Sequence, residues 1–118
     1  MVDLEFEVRW SIKHDAETTI LDPTVFNLLR GVRQGGHLTY AAQTAGVSYR
    51  HAWGLLRDWE RRFGVALVSA RQGRGAHLTE FGEALLQIAA ETELALAPTL
   101  ERVALDAAAR LSEATDPG

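Results

Sequence analysis

The chain opens with strict alternation: Leu4, Phe6, Val8, Trp10 and Ile12 fall on one side, and Glu5, Glu7, Arg9 and Ser11 on the other. A period of two predicts a half-buried strand over residues 4–12. The period then changes. Asp22 followed by Pro23 has the form of an N-cap with proline in the first turn, and Val25, Phe26, Leu28, Leu29 and Val32 make a helical apolar stripe. Together they predict a helix over 23–33. Gly35 and Gly36 end it, and a short helix over 39–45 follows, with Thr39 as its cap and Ala41, Ala42 and Ala45 as small residues permitting close packing. Gly46 supplies a tight turn, Val47 a residue to bury within it, and Ser48 the cap of the next helix.

The third helix, over 49–63, sorts into two opposed faces at about 100° per residue. Ala52, Leu55, Leu56, Trp59 and Phe63 share one face; Arg50, Gly54, Arg57 and Arg61 share the other. Tyr49 and Trp53 stand at one border, His51 and Asp58 at the other. Residues 66–78 then read as a hairpin: a short strand at Ala66 to Ser69, a basic turn at Gln72-Gly73-Arg74-Gly75, and a returning strand at Ala76 to Leu78. Thr79 caps a final helix of high propensity from Glu80 to about residue 112. Its stripe of Phe81, Leu85, Ile88, Thr92, Leu96, Leu100, Val103, Ala107 and Leu111 steps by three or four and outruns what a small domain covers by itself, which points to a partner helix. Pro98 kinks that helix or divides it in two. Residues 113–118 carry no packing signal.

Composition narrows the classes. With 47% apolar and 24% charged residues in 118, the balance is that of one soluble domain. No stretch approaches the roughly 18–20 apolar residues of a membrane span, the acidic start lacks the order of a signal peptide, and a cytoplasmic location is the expectation. The absence of cysteine excludes disulfides, thiol nucleophiles and thiolate metal sites.

The net charge of −4 hides an uneven distribution. Residues 1–29 and 80–118 are both acidic, but residues 30–79 carry eight arginines (Arg30, Arg33, Arg50, Arg57, Arg61, Arg62, Arg71 and Arg74) against only Asp58 and Glu60. Arginine's planar fork suits phosphate and guanine edges. Arg61 and Arg62, close to Asp58 and Glu60, are the members of the set expected to serve as ordinary surface or ion-pair residues.

Competing chemistries find little support. His14, His37, His51 and His77 are scattered without ligand spacing, so neither metal nor cofactor is expected. Gly73-Arg74-Gly75 lacks the lysine and Ser/Thr of a phosphate-binding P-loop. Ser48 is not in a nucleophile elbow, no Ser, His and Asp set converges, and no enzyme is expected.

Two helices joined by a glycine turn, then a basic hairpin, follow the order of a winged helix-turn-helix. Residues 38–48, Leu38-Thr39-Tyr40-Ala41-Ala42-Gln43-Thr44-Ala45-Gly46-Val47-Ser48, resemble the helix-turn-helix signature of LysR-type regulators. Val47-Ser48-Tyr49-Arg50-His51-Ala52-Trp53, the glycine-rich wing and Leu78-Thr79-Glu80-Phe81-Gly82 resemble the DNA-binding domain of molybdate-responsive, ModE-type regulators over roughly residues 4–97. That resemblance implies that the initial strand joins the wing sheet, that the helix opening at Ser48, Tyr49 and Arg50, with Trp53, enters the major groove, and that the last helix helps form a dimer. It does not extend to the effector modules of either family, so no oxyanion or other small-molecule effector is implied within these residues.

The expected fold is mainly α with a small β-sheet: a winged helix-turn-helix over 1–79 with an N-terminal strand, and a long dimerisation helix over 80–112. The expected function is sequence-specific binding of double-stranded DNA by a homodimeric transcription regulator, alone or as part of a longer sensor. Arg50 and Arg57 are assigned to base edges; Ser48, Tyr49, Arg71 and Arg74 to backbone and wing contacts; Trp53 to a mixed packing and groove role. Thr39, Tyr40 and His51 complete the expected interface. Phe81, Leu85, Ile88, Leu96, Leu100 and Val103 are assigned to the dimer seam. The rival is a winged-helix protein-interaction module without sequence-specific DNA binding; the arginine-rich middle argues against it.

Overall fold

The computed structural model describes residues 1–71 and 75–114, with Arg71 as backbone only. The order is β1 (Ser11–His14), β2 (Glu17–Ile20), α1 (Pro23–Gly35), α2 (Leu38–Ala45), α3 (Tyr49–Phe63), β3 (Val68–Arg71), β4 (Gly75–Leu78) and α4 (Glu80–Ala114). These residues fall into two units. Arg9–Ile88 holds both hairpins, the first three helices and the first turns of α4; Met1–Val8 groups with the chain from Ala89 onward.

The first unit is built around α1. Asp22 caps it by accepting from the Thr24 N–H at 2.9 Å, Pro23 occupies its first turn, and Gly36 closes it in a left-handed conformation. The stripe read from the sequence is the buried one: Val25, Leu28, Leu29 and Val32 are at most 1% exposed. They join Leu21, Leu38, Ala41, Ala42, Ala52, Leu56, Trp59, Leu67, Val68, Ala76, Leu85 and Leu86 in one core. Each fully buried leucine or valine contributes about 1.5–3 kcal/mol by leaving water.

The N-terminal strand differs from expectation. It covers residues 11–14 and not 4–12, and its partner is β2, in antiparallel register from Ser11 opposite Ile20 to His14 opposite Glu17. Asp15, with φ 54°, makes the turn. A strand extends only as far as its partner does. Beyond Ile20 the chain gives one more bond, Leu21 N–H to the Trp10 carbonyl at 2.8 Å, and then Asp22 and Pro23 turn it into α1. Trp10 and Ile12 keep the inward side of the alternation and pack on the core, whereas Phe6 and Val8 are 39% and 42% exposed.

Nor does β1 join the wing. The two hairpins form separate two-stranded sheets, with β3 and β4 paired from Val68 opposite Leu78 to Arg71 opposite Gly75. β1 finds its partner within its own hairpin, and β4 directs the Ala76 N–H to the Gly36 carbonyl. A further correction concerns α2: His37, not Thr39, is its N-cap, without a side-chain cap bond. Leu38, 5% exposed, is drawn into the first helical turn by the core, which moves the start back by one residue.

Thr79 does cap α4. Its hydroxyl accepts from the Gly82 N–H at 3.1 Å and donates to the Ala66 carbonyl at 2.6 Å, while its own N–H donates to the Leu67 carbonyl at 3.0 Å. A Cβ at Gly82 would stand 2.2 Å from that Leu67 oxygen, so glycine is what lets α4 lie against the entry to the wing.

In the second unit α4 runs unbroken through Pro98, so the reading of two helices is excluded. Proline removes one ladder bond, to the carbonyl of Leu94, and it does so in an exposed stretch, where a carbonyl is open to solvent. Leu94 itself is 79% exposed. The Met1–Val8 segment belongs to this unit, and the Val2 N–H donates to Ser112 Oγ at 3.1 Å.

Candidate nucleic-acid interface

The turn ahead of α3 is built as its sequence implies. Gly46 takes φ 74° and closes α2, the Val47 N–H bonds the Ala42 carbonyl at 3.0 Å, and half-buried Val47 packs on the core. Ser48 is extended and caps α3 by accepting from the His51 N–H at 3.0 Å. The capped end leaves Ser48, Tyr49, Arg50 and His51 all exposed, and a helix N-terminus with free N–H groups favours anionic partners.

Along α3, Ala52, Leu56 and Trp59 are buried, with Leu55 and Phe63 half-buried beside them. The opposite face presents Arg50, Gly54 and Arg57 to solvent. Arg50 and Arg57 have no ion-pair partner among the described residues. Arg57 lies over the Trp53 ring, 5.2 Å from its centroid, and Tyr49 meets the same indole edge-on at 6.3 Å. Trp53 thus has two roles: it packs on the core and offers its ring to a guanidinium, an interaction worth about 0.5–1 kcal/mol at an exposed site.

The later arginines serve the fold. Arg61 and Arg62 each reach Asp58 at 3.2 Å; Arg62 also donates to Thr19 Oγ1 at 3.0 Å and lies over Trp59. Arg62 ties α3 to the first hairpin, whereas the exposed Arg61 pairs within α3 itself. Glu60 turns to the wing instead, its carboxylate accepting from the backbone N–H groups of Leu67 and Val68 at 2.9 and 3.3 Å. Thr39 and Tyr40 are exposed on α2, the Tyr40 ring lying against Gly35. Arg74 and the side chain of Arg71 lie outside the described residues.

The seam assigned to α4 needs correction at its start. Leu85 is 6% exposed and belongs to the core, and half-buried Phe81 packs against Phe63 with centroids 5.2 Å apart and rings inclined at 57°. Both are taken up by the first unit, since the opening turns of α4 close its core. Ile88, Leu96 and Val103 are 50%, 40% and 44% exposed, and Leu100 is half-buried.

Two features escaped sequence reasoning. The β2 strand rests on only four residues, Glu17-Thr18-Thr19-Ile20, and its β-branched content was the one available signal. Gly54 was placed on the arginine face, but the space around it was not foreseen: a Cβ there meets nothing within 4 Å among the described residues. An open depression of about 530 Å³ lies at this point, lined by Ser48, Arg50, His51, Gly54, Leu55 and Asp58.

Bacterial regulatory helix-turn-helix proteins of the lysR family match residues 25–83, half of the chain, from α1 to the first turn of α4. The chain belongs to the lysR family. Among its relatives, the transcriptional regulator ModE of Yersinia pestis is 35% identical over an alignment 71 positions long that covers 57% of this chain and 27% of that protein. The molybdenum transport protein ModE of Azotobacter vinelandii is 28% identical over an alignment 119 positions long that covers 98% of this chain and 42% of that one. The chain therefore spans well under half the length of these relatives. In fold this lysR-family chain is similar to the crystal structure of the CbnR_DBD–DNA complex, with TM-score 0.60 and 23% identity over 73% of this chain and 98% of that one. It is also similar to full-length LysG of Corynebacterium glutamicum, with TM-score 0.57 and 26% identity over 79% of this chain and 30% of that one. Both resemblances read from the sequence, to LysR-type and ModE-type regulators, are borne out.

Proposed function

We propose that this chain is a cytoplasmic, non-enzymatic transcription regulator that binds double-stranded DNA in a sequence-specific manner as a homodimer. The observation that carries the reading is α3 itself: a helix anchored by a buried apolar face, capped by Ser48, and presenting Arg50 and Arg57 unpaired on the opposite side. A major groove admits one such helix, and arginine reads guanine edges there in bidentate fashion. Ser48 and Tyr49 at the helix start meet phosphate, Thr39, Tyr40 and His51 flank the contact, Trp53 steadies Arg57, and Arg71 and Arg74 extend it along the wing. The ModE relatives are named as transcriptional regulators, and the CbnR_DBD neighbour is seen with DNA; both agree with this reading.

Ile88, Leu96, Leu100 and Val103 are the α4 side chains assigned to the dimer; Leu96 and Val103, exposed apolar side chains two turns apart on one helix, carry the assignment, because a second copy would take them out of water. Two-fold symmetry then requires an inverted-repeat site.

The test is fluorescence anisotropy with two labelled duplexes, the DNA upstream of the protein's own gene and a scrambled duplex of equal length, at two salt concentrations. A preference that survives the higher salt supports the reading. Equal binding that collapses with salt reports phosphate attraction alone, and no binding at either salt moves the weight to a protein-interaction module.

A further inference from the structure

Glycine inside a helix costs stability relative to alanine, because its backbone loses more freedom on folding. Gly54 sits in the interior of α3, and nothing among the described residues requires it. It is not a cap, its φ is not in the left-handed region, and an added Cβ would meet no atom within 4 Å among the described residues. At Gly31 and Gly82, by contrast, a Cβ would stand 2.6 and 2.2 Å from other parts of the chain. The open space at Gly54 leaves room for a partner from outside the chain.

Its position says where. At about 100° per residue Gly54 lies opposite Ala52, Leu56 and Trp59, at the centre of the exposed face. Arg50 precedes it by one turn and Arg57 follows by almost one, so two guanidiniums without an ion pair among the described residues flank a bare stretch of backbone; Arg50 and Gly54 line the depression there with Ser48, His51, Leu55 and Asp58.

We propose that Gly54 is a specificity-determining position, the point of closest approach between α3 and the floor of the DNA major groove. Bare backbone there brings the helix into van der Waals contact with a base-pair edge, and this depth lets Arg50 and Arg57 reach neighbouring bases together. A side chain at 54 acts as a spacer that holds both arginines away from the bases while leaving phosphate contacts within reach. The inference rests on the reading of α3 as the DNA-contacting helix.

The experiment uses the full chain and its Gly54→Ala and Gly54→Ser variants. The probes are duplexes enriched by the wild-type chain from a random-sequence library, with a scrambled duplex as reference; thermal unfolding is followed in parallel. The expected result is a melting temperature for Gly54→Ala at or above that of wild type, affinity for the enriched duplex lower by about tenfold or more, and affinity for the scrambled duplex unchanged. A Gly54→Ala variant that binds the enriched duplex as tightly as wild type overturns the inference while leaving the DNA reading intact. A lowered melting temperature overturns it as well, by showing that the fold needs the glycine. If the wild-type chain enriches no sequence, the DNA reading fails and takes this inference with it.

Discussion

The Ala76 N–H donates to the Gly36 carbonyl at 2.8 Å, so the returning strand of the wing hangs on the C-cap of the first helix. The adjoining residue, Gly75, has φ 75°, and a Cβ on it would stand 2.5 Å from the same Gly36 oxygen. Backbone conformation and available space both demand glycine. Gly75→Ala is expected to lower stability by about 1–3 kcal/mol, measured by chemical denaturation; an unchanged midpoint would show that the wing is not held at this point.

The junction between wing and α4 depends on Thr79 and Gly82 in a different way. Thr79→Ala removes the helix cap and the bond to the Ala66 carbonyl, at an expected cost of about 1–2 kcal/mol. Thr79→Ser keeps the hydroxyl and should recover most of the loss. Equal destabilisation by the two substitutions would assign the effect to the lost methyl group and not to the bonds.

Two arginines on one helix should respond to truncation in opposite ways. Arg62→Ala breaks the links to Asp58, Thr19 and Trp59 and is expected to cost about 1 kcal/mol of stability, with DNA affinity retained once the protein is folded. Among the described residues Arg57→Ala loses only its stacking on Trp53 and should change stability by less than about 1 kcal/mol, while weakening binding to a preferred duplex by about 1–3 kcal/mol. Melting curves and anisotropy titrations on both variants decide the matter; a reversed pattern would exchange their roles.

The dimer is tested at Leu96 and Val103, both open to solvent on α4. Sedimentation equilibrium of the wild-type chain should give twice the mass of one chain, and the paired substitution Leu96→Glu with Val103→Glu should give a monomer with the winged-helix unit still folded. A wild-type chain that stays monomeric at every concentration would refute the seam.

Much of this architecture was legible because local signals agreed with one another. Asp22-Pro23, Ser48 and Thr79 each mark a helix start by chemistry that acts over a few residues, and each cap is present. The two faces of α3 follow from helical period alone, and its bounds, Tyr49–Phe63, are those read from the pattern. What failed depends on partners distant in sequence. Alternation over residues 4–12 shows which side chains face together, but not that Asp22 and Pro23 remove the strand's partner beyond Leu21. The stripe of α4 likewise does not reveal that Leu85 and Phe81 are already covered by their own core, as Phe63 and the neighbouring leucines come from other elements. The exposed face of α3 was legible as chemistry, whereas the empty space over Gly54 becomes visible only once neighbouring elements are in place.

Whether α3 reads sequence is tested most directly by Arg50→Ala. The wild-type chain and the variant are titrated against a duplex enriched by the wild type and against a scrambled duplex at one salt concentration. A base-reading Arg50 predicts a loss of about 1–3 kcal/mol on the enriched duplex and a much smaller change on the scrambled one, so that preference narrows. Equal losses on the two duplexes would make Arg50 a phosphate contact and contradict the assignment of α3 as the reading helix.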